Sequence, residues 1–458
     1  GLFMNQAGFK VLMVSLSDEE IGGDCLNDGC VPSKALIHVA KIAHQAKQAK
    51  NFGLEINGSI DMEKAISYVY ERQEEIRVHE NATWLKGQGI HVALGEAHFT
   101  GKKEIEVNEK KYTGKKIVIA TGSTPRKLKI NGVEKVKYYD NENLFHTDNL
   151  PQSLLVVGGG PIGIEMSQAL SRLGSKVTVV DKAGNILEHD DKAVTKILLE
   201  QLKKEGIEFF FNAEIKSFSS EKSVEIEMKD GARKTLEFDA VFVAIGRELN
   251  IEKLQLNNAG IEVKDHKIVV NKYLRTTNKN VFVCGDVAGD LQFSHAAEFH
   301  ARILLNNFFS PLNKKLNNDH MSWVTFTDPE LATFGLSEKQ LKERHISYER
   351  LEQNFEEDDR AVTDNYRYAK TVMFISSKGF LKKQKILGGT MVAPNAGELI
   401  QELILANTEG LSINALFNKI YPYPVASRIN QKVIVEYKSK SLTSFVKKLL
   451  QFAYKIFS

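Results

Sequence analysis

The 458 residues hold 61 Lys and Arg against 58 Asp and Glu, a net charge of +3, with 42% hydrophobic and 26% charged residues. Such a chain folds as a globular protein with ample core over roughly three domains, and its charge balance excludes the basic footprint of a nucleic-acid-binding protein. Three cysteines suit a reducing compartment, the cytoplasm, rather than a secreted disulfide scaffold; no apolar run reaches the length of a membrane span and no signal peptide is read.

In chain order, residues 11–14 predict a short buried parallel strand. Cys25-Leu26-Asn27-Asp28-Gly29-Cys30 then sets two of the three cysteines five positions apart. The following residues read as a helix start: Pro32 suits a first turn, and residues 35–40 are a good helical run. A thiol at a helix N-terminus feels the positive end of the dipole, which favours its thiolate. Gly29 can relax the backbone so that the two sulfurs meet. This suits a reversible redox disulfide; the bare spacing also fits half a zinc site lacking its other ligands, or two inert buried thiols. Residues 61–87 read as one long helical segment of mixed charge, followed by a strand-rich stretch punctuated by Gly101 and Gly114. Residues 117–120 form a second buried parallel strand, which runs into Thr121, Gly122 and Ser123, a small-residue turn that lets a ligand approach the backbone.

The clearest unit begins with the strand 153–157. Gly158, Gly160 and Gly163 satisfy G-x-G-x-x-G, residues 164–173 are helical, Gly174 ends the helix, and the strand 176–180 stops at Asp181. Strand, glycines, helix, strand and terminal acid at this spacing predict a dinucleotide-binding fold, with a pyrophosphate on the helix N-terminus. Asp181 would accept from a ribose 2′-hydroxyl and repel a 2′-phosphate, which favours NADH over NADPH; a Rossmann-like unit without ligand is the alternative. Residues 8–15 echo residues 174–181, with Ser15 standing where Asp181 stands. Carried back, the echo places a first strand and glycine loop of about thirteen residues before residue 1.

Residues 239–245 form another buried strand, turning at Gly246 and Arg247, and residues 277–286 form a strand that delivers Asp286. Cys284 is a small buried apolar residue on that strand. Residues 292–297, with Phe293, Ser294 and His295, read as a helix start; His295 is also compatible with a helix-cap or core histidine. From Trp323 the chain alternates strands and helices. The tail, 438–458, sets Leu442, Phe445, Val446, Leu449, Leu450, Ala453, Ile456 and Phe457 on one helical face, with Lys440, Lys447, Lys448 and Lys455 as cations. Two readings stand for it: a helix docked on its own protein, and a basic amphipathic helix on an anionic membrane surface, peripheral on the inner face.

The run GGDCLNDGCVPSKAL resembles the redox signature of the flavin-dependent pyridine nucleotide–disulfide oxidoreductases, a group that includes dihydrolipoamide dehydrogenase, glutathione reductase and mercuric reductase. The likeness covers about residues 8–436. It implies an α/β fold with two Rossmann-like dinucleotide-binding domains, for FAD and NAD, plus an α+β C-terminal dimerisation domain. The implied segments are 1–144 (FAD), 145–270 (NAD), 271–318 (FAD return segment), 319–437 (dimerisation) and 438–458 (tail helix). The resemblance further implies electron flow from NAD(P)H through FAD and the Cys25–Cys30 disulfide to an acceptor, in a homodimer and with no resident metal. Cys30 would be the flavin-side sulfur of the charge-transfer thiolate, and Cys25 the interchange sulfur. Lys34 and Glu165 match the pair beside the flavin N5, and Asp286 the ribityl-binding acid; the family's ribose acceptor on the FAD side is replaced by Ser15. Thr121, Gly122, Ser123, Gly246, Arg247, Phe293, Ser294 and His295 are further candidate cofactor contacts. Dihydrolipoamide dehydrogenase and glutathione reductase place a His-Pro near the partner's disulfide, with a Glu five positions on. Here Tyr423 and Arg428 take those places, leaving Tyr423 as an acid–base candidate or a packing residue. Mercuric reductases also carry Tyr there, but their C-terminal vicinal cysteine pair has no counterpart. The reading is mercuric-reductase-like, with a small-molecule, disulfide or metal-ion acceptor; dihydrolipoamide dehydrogenase, a non-catalytic membrane-recruited flavoprotein subunit and an apo form without activity are the alternatives.

Overall fold

A computed structural model describes residues 1–147, 149–379, 383–440 and 442–457. Asp148, residues 380–382, and Ser441 and Ser458 of the tail lie outside the described residues. The chain divides into two compact units, Gly1–Lys182 with Ile207–Asn317, and Ala183–Gly206 with Asn318–Ser458.

The first unit contains a parallel five-stranded sheet in the order Glu208–Phe210, Lys176–Val180, Ser153–Val157, Ala240–Val243, Tyr138–Tyr139. Its strands Ser153–Val157 and Ala240–Val243 are apolar runs with no alternation, because both faces are covered: Leu154, Leu155, Val156, Val241, Phe242 and Val243 are all buried. One covering layer is the antiparallel sheet of Ala213–Ser220, Ser223–Met228 and Arg233–Glu237, whose Ile215, Phe218, Val224 and Ile226 share a core with Leu155, Val180 and Val243. The helix Pro161–Leu173 follows the glycine loop, starts with Pro161 in its first turn and ends at Gly174 with φ 121. This strand–loop–helix–strand unit matches the sequence expectation almost residue for residue.

Elsewhere in this unit the expectations need correction. Leu12–Ser15 pairs in parallel with His91–Leu94, and Ile117–Ile119 with Val281–Val283. Among the described residues Leu12–Ser15 and Ile117–Ile119 each have a single neighbouring strand. Leu12–Ser15 is therefore only half-buried, and Val118 is 42% exposed, where fully buried strands were expected. The helical segment expected over 61–87 is two helices, Met62–Arg77 and Ala82–Gly87. Asn81 starts the second by accepting the Trp84 N–H at 2.8 Å, and Asp18 accepts the Ala82 N–H at 2.6 Å. A side-chain cap satisfies N–H groups that a continuous helix would have used internally, so the helix restarts there.

The second unit is an antiparallel sheet in the order Ser322–Thr325, Glu330–Gly335, Ile386–Ala393, Lys370–Ser376, Tyr348–Asn354. Its core joins Phe334, Met373 and Met391 of the strands to Leu403 of helix Gln401–Thr408 and Val433 of helix Ile429–Lys440. Helix Lys192–Lys204 groups with this unit and packs on the strand Ile386–Ala393. The residues just before it explain why. Asp190 accepts from Trp323 Nε1 at 2.9 Å and Thr333 Oγ1 at 2.6 Å, and Asp191 accepts from Arg350 Nη2 at 3.1 Å. The mixed α/β architecture agrees with the fold class expected.

The tightest constraint on the first unit is the glycine loop. A Cβ on Gly163 would collide with the Gly158 carbonyl oxygen and would stand 3.5 Å from the Ala244 Cβ. Gly163→Val should therefore push the helix Pro161–Leu173 off the sheet and destabilise the protein by about 1–3 kcal/mol in urea unfolding, whereas Gly160→Ala, with open space around it, should cost far less.

Candidate redox site

The cysteine pair sits at the joint of two helices. Cys25 lies on the short helix Gly23–Asn27, and Cys30 is the first residue of the helix Cys30–Gln48. Both are free thiols, Cys30 exposed and Cys25 half-buried. The two thiols are hydrogen-bonded to each other, and Ser294 Oγ lies 3.4 Å from Cys30 Sγ. The Cys25 hydrogen bond is the main reason the Cys30 thiol is lowered to about 6; Ser294 and the Lys34 charge act the same way, against burial and Asp24. The same hydrogen bond, then burial, pushes the Cys25 thiol well above the usual range. The two thiols are thus pushed in opposite directions, Cys30 toward its thiolate at the positive end of a 19-residue helix and Cys25 toward its thiol form.

Gly29 serves this joint differently from the expectation. Its φ is −120, and a Cβ there would stand 2.7 Å from Asp24 Oδ2 and 2.8 Å from the Asp24 carbonyl oxygen. Close approach of two chain segments, rather than backbone freedom, requires the missing side chain.

A polar network that the sequence did not reveal pins this loop. Asp24 Oδ1 accepts from Arg247 Nη2 at 2.7 Å and from the buried Asn141 Nδ2 at 3.1 Å, and Asn141 Nδ2 also reaches the Asp28 carbonyl at 3.2 Å. Arg247 donates through Nε to Ser123 Oγ at 2.7 Å, and Ser123 Oγ donates to Asp286 Oδ2 at 2.6 Å. The parallel pairing of Ile117–Ile119 with Val281–Val283 brings the Ser123 and Asp286 turns out side by side. Asp24 carried a visible signal, an acid directly before Cys25; Asn141 lies in a turn with no pattern around it. His300, 1% exposed, was also missed: its Nδ1 accepts the Gly285 N–H at 3.2 Å and shapes the turn that presents Asp286.

Lys34, one turn beyond Cys30, donates to Glu165 Oε2 at 2.8 Å, and the Glu165 side chain is only 5% exposed. This joins the cysteine helix to the buried face of Pro161–Leu173, so the pair is not a loose surface ion pair. In the glycine loop the Asp181 carboxylate accepts the Gly159 N–H, Gly158 lies so close to the Ala244 carbonyl that no side chain fits, and nothing lies within 4 Å of a Cβ on Gly160. Gly122 and Gly246 are likewise open, with φ 67 and 102, and Thr121 Oγ1 donates to the Asn250 carbonyl at 2.6 Å. Ser294 opens the helix Ser294–Phe309, and the rings of Phe293 and His295 stack at 5.2 Å. These open glycines, helix N-termini and strand-end acids fit the phosphates and ribose or ribityl groups of an FAD and a nicotinamide dinucleotide. Among the described residues no cluster of three His, Cys, Asp or Glu side chains could hold a metal ion.

Tyr423 belongs to the second unit. It is 68% exposed, its hydroxyl donates to Asp359 Oδ2 at 3.0 Å, and the Arg428 guanidinium lies 5.5 Å from its ring centroid. The Asp359 hydrogen bond and charge hold the phenol above its ordinary range.

Two measurements follow from these charges. Iodoacetamide alkylation followed by peptide mapping should give a Cys30 rate rising with a midpoint near pH 6, with Cys25 unreactive until far more alkaline pH. Cys25→Ala should move the Cys30 midpoint upward, by removing its main stabilising hydrogen bond. Asp28 gives the second. Burial, then Asp24, Glu142 and Glu20, raise its carboxyl to about 7, against the opposing Arg247 charge, while His146 Nε2 lies 3.9 Å from Oδ1. The native state therefore binds more protons than the unfolded chain between about pH 4 and 7, and this group's contribution to stability falls as pH rises through that window. Asp28→Asn should match the parent near pH 4 and exceed it by on the order of 1–3 kcal/mol near pH 8 in urea unfolding.

Comparison with known proteins agrees with this geometry. The family model described as pyridine nucleotide-disulphide oxidoreductase matches residues 1–301, and the dimerisation domain of the same family matches residues 321–433, which supports a homodimer. The chain is 31% identical over 422 residues to a mercuric reductase of Lysinibacillus sphaericus, covering 91% of this chain and 76% of that protein. It is 30% identical over 444 residues to a dihydrolipoyl dehydrogenase of Mycoplasma genitalium, covering 94% and 95%. The solved structure of the HOCl-induced flavoprotein disulfide reductase RclA from Escherichia coli superposes with a TM-score of 0.83 at 26% identity, over 94% of this chain and 95% of that one. Dithiol, glycine loop and dimerisation domain thus stand in one chain in the family's order: it belongs to the pyridine nucleotide–disulphide oxidoreductases, enzymes that use FAD and NAD(P)H.

Proposed function

We propose that the chain is an NADH-linked, FAD-dependent disulfide oxidoreductase whose acceptor is a thiophilic metal ion of the mercuric kind, acting in the cytoplasm. The carrying observation is the Cys25–Cys30 pair, with Cys30 opening a 19-residue helix and its sulfur 3.4 Å from Ser294 Oγ. FAD, when bound, would supply two-electron transfer between the nicotinamide and the cysteine pair. Thr121, Gly122, Ser123, Arg247 and Asp286, with Phe293, Ser294 and His295, would hold it. Lys34, kept in place by Glu165, would lend positive charge beside Cys30 and favour its thiolate form. Gly158, Gly160 and Gly163 would admit the NADH pyrophosphate against the helix Pro161–Leu173, with Gly246 lining the turn beside them. Asp181 would repel a 2′-phosphate.

Tyr423 bears on which substrate fits. A dithiol donor, oxidised with NAD+ as the acceptor, has to lose protons to a base, and a phenol bound to Asp359 with its pKa raised is a poor base at neutral pH. Arg428, in the place of an orienting carboxylate, cannot correct this. A soft metal ion is instead captured by thiolate and makes no such demand. A chain with three cysteines, two of them a redox pair, suits a reducing compartment.

The test is anaerobic NADH turnover with the flavin-loaded protein at neutral pH. Mercuric ion should be reduced by NADH, while dihydrolipoamide, assayed separately with NAD+ as the electron acceptor, should be oxidised about 100-fold more slowly or worse, the shortfall of a missing base. Tyr423→His should raise dihydrolipoamide turnover about tenfold. Cys30→Ser should end metal reduction while one equivalent of NADH still reduces the bound flavin. Rapid dihydrolipoamide turnover by the parent chain would overturn the acceptor class.

A further inference from the structure

We propose that the C-terminal helix Ser444–Phe457 is a docking element for an anionic lipid surface. The helix buries none of its residues, whereas the helix before it, Ile429–Lys440, buries Ile429, Asn430, Val433 and Ile434 in the core of its unit. Phe445, Phe452 and Phe457 are 75%, 62% and 87% exposed.

Side-chain order decides what such a helix can bind. At about 100° per residue, its apolar side chains fill a continuous arc of about 160°. Phe452 and Phe445 stand at one border, Leu450 and Phe457 at the other, with Leu449 and Ile456 between. Lys447, Lys448 and Lys455 occupy the remaining arc with Ser444, Gln451 and Tyr454, and no polar residue falls inside the apolar arc. An arc this wide exceeds the narrow seam of a paired helix and suits a planar apolar medium. Lysines flanking it can extend their heads to the phosphate level while their stems stay with the lipid. At 14 residues the helix is about 21 Å long, too short to cross a bilayer, and no helix among the described residues is long and apolar enough to do so.

The charge selects the occupant. Residues 437–458 contain no Asp or Glu, so Lys440, Lys447, Lys448 and Lys455 have no acidic side chain within that segment to neutralise them. A second copy of the helix would bring the same positive charge, and like charges would oppose pairing along the polar border. A surface of anionic lipid headgroups supplies both the apolar layer and the negative charge.

The experiment is co-sedimentation of the full chain with vesicles of phosphatidylcholine alone and with one third phosphatidylglycerol, at about 0.1 M salt. Partition should be at least tenfold stronger on the anionic vesicles. Lys447→Gln with Lys448→Gln should weaken it about 30-fold there, roughly fivefold per lysine, and leave binding to neutral vesicles unchanged. Leu449→Glu with Ile456→Glu should abolish binding to both, with thermal unfolding of the globular units unchanged. Equal sedimentation of the parent and the glutamate variant would overturn the proposal. So would a higher oligomer, seen by light scattering without lipid, that the glutamate variant dissolves, because it would assign the apolar face to a second copy.

Discussion

The pairing of two thiols where one helix ends and the next begins is what the rest of the redox site depends on. Their mutual interaction pushes Cys30 toward greater acidity and Cys25 toward less. The asymmetry is reinforced by position. Cys30 opens a long helix and lies near the Lys34 charge, while Cys25 is half-buried on a separate short helix. Without the hydrogen bond, burial and Asp24 would work against a thiolate at Cys30.

That geometry depends on keeping two helix ends in register, which is the task of the polar network around Asp24. An acid so close to a thiolate is electrostatically unfavourable, and it raises both Cys25 and Asp28. Arg247 and Asn141 offset the charge and convert Asp24 into a fastening point. Through Ser123 the same arginine ties the joint to the turn carrying Asp286. Residues far apart in the chain therefore share one hydrogen-bonded frame, and loss of any member leaves charged or polar groups without their partners.

The second unit contributes a different kind of order. Its antiparallel sheet is closed by helices whose buried residues form one core, and the carboxylates of Asp190 and Asp191 hold a helix against it through Trp323, Thr333 and Arg350. Tyr423 and Arg428 belong to this unit but stand outside its core, with side chains directed to Asp359 and to each other. The helix Ser444–Phe457 has no buried residue, and the apolar side chains of Phe445, Phe452 and Phe457 are largely exposed.

The sequence by itself determined what depends on neighbours along the chain. The parallel strands 153–157 and 176–180, the helix between them, its proline start and glycine stop were legible because period, caps and glycine spacing are local properties. Cys25, Cys30, Lys34 and Glu165 were legible through a motif, and the amphipathic tail through its repeat. Tertiary structure alone decided that Asn141 and His300 matter, since each acts on a residue distant in the chain or hidden by folding. It also decided that residues 61–87 break at Asn81, where a cap competes with helix continuation, and that Gly29 is required by the approach of Asp24. It decided which thiol is the more acidic as well, because acidity follows the surrounding charges and burial, and these exist only once the chain is folded.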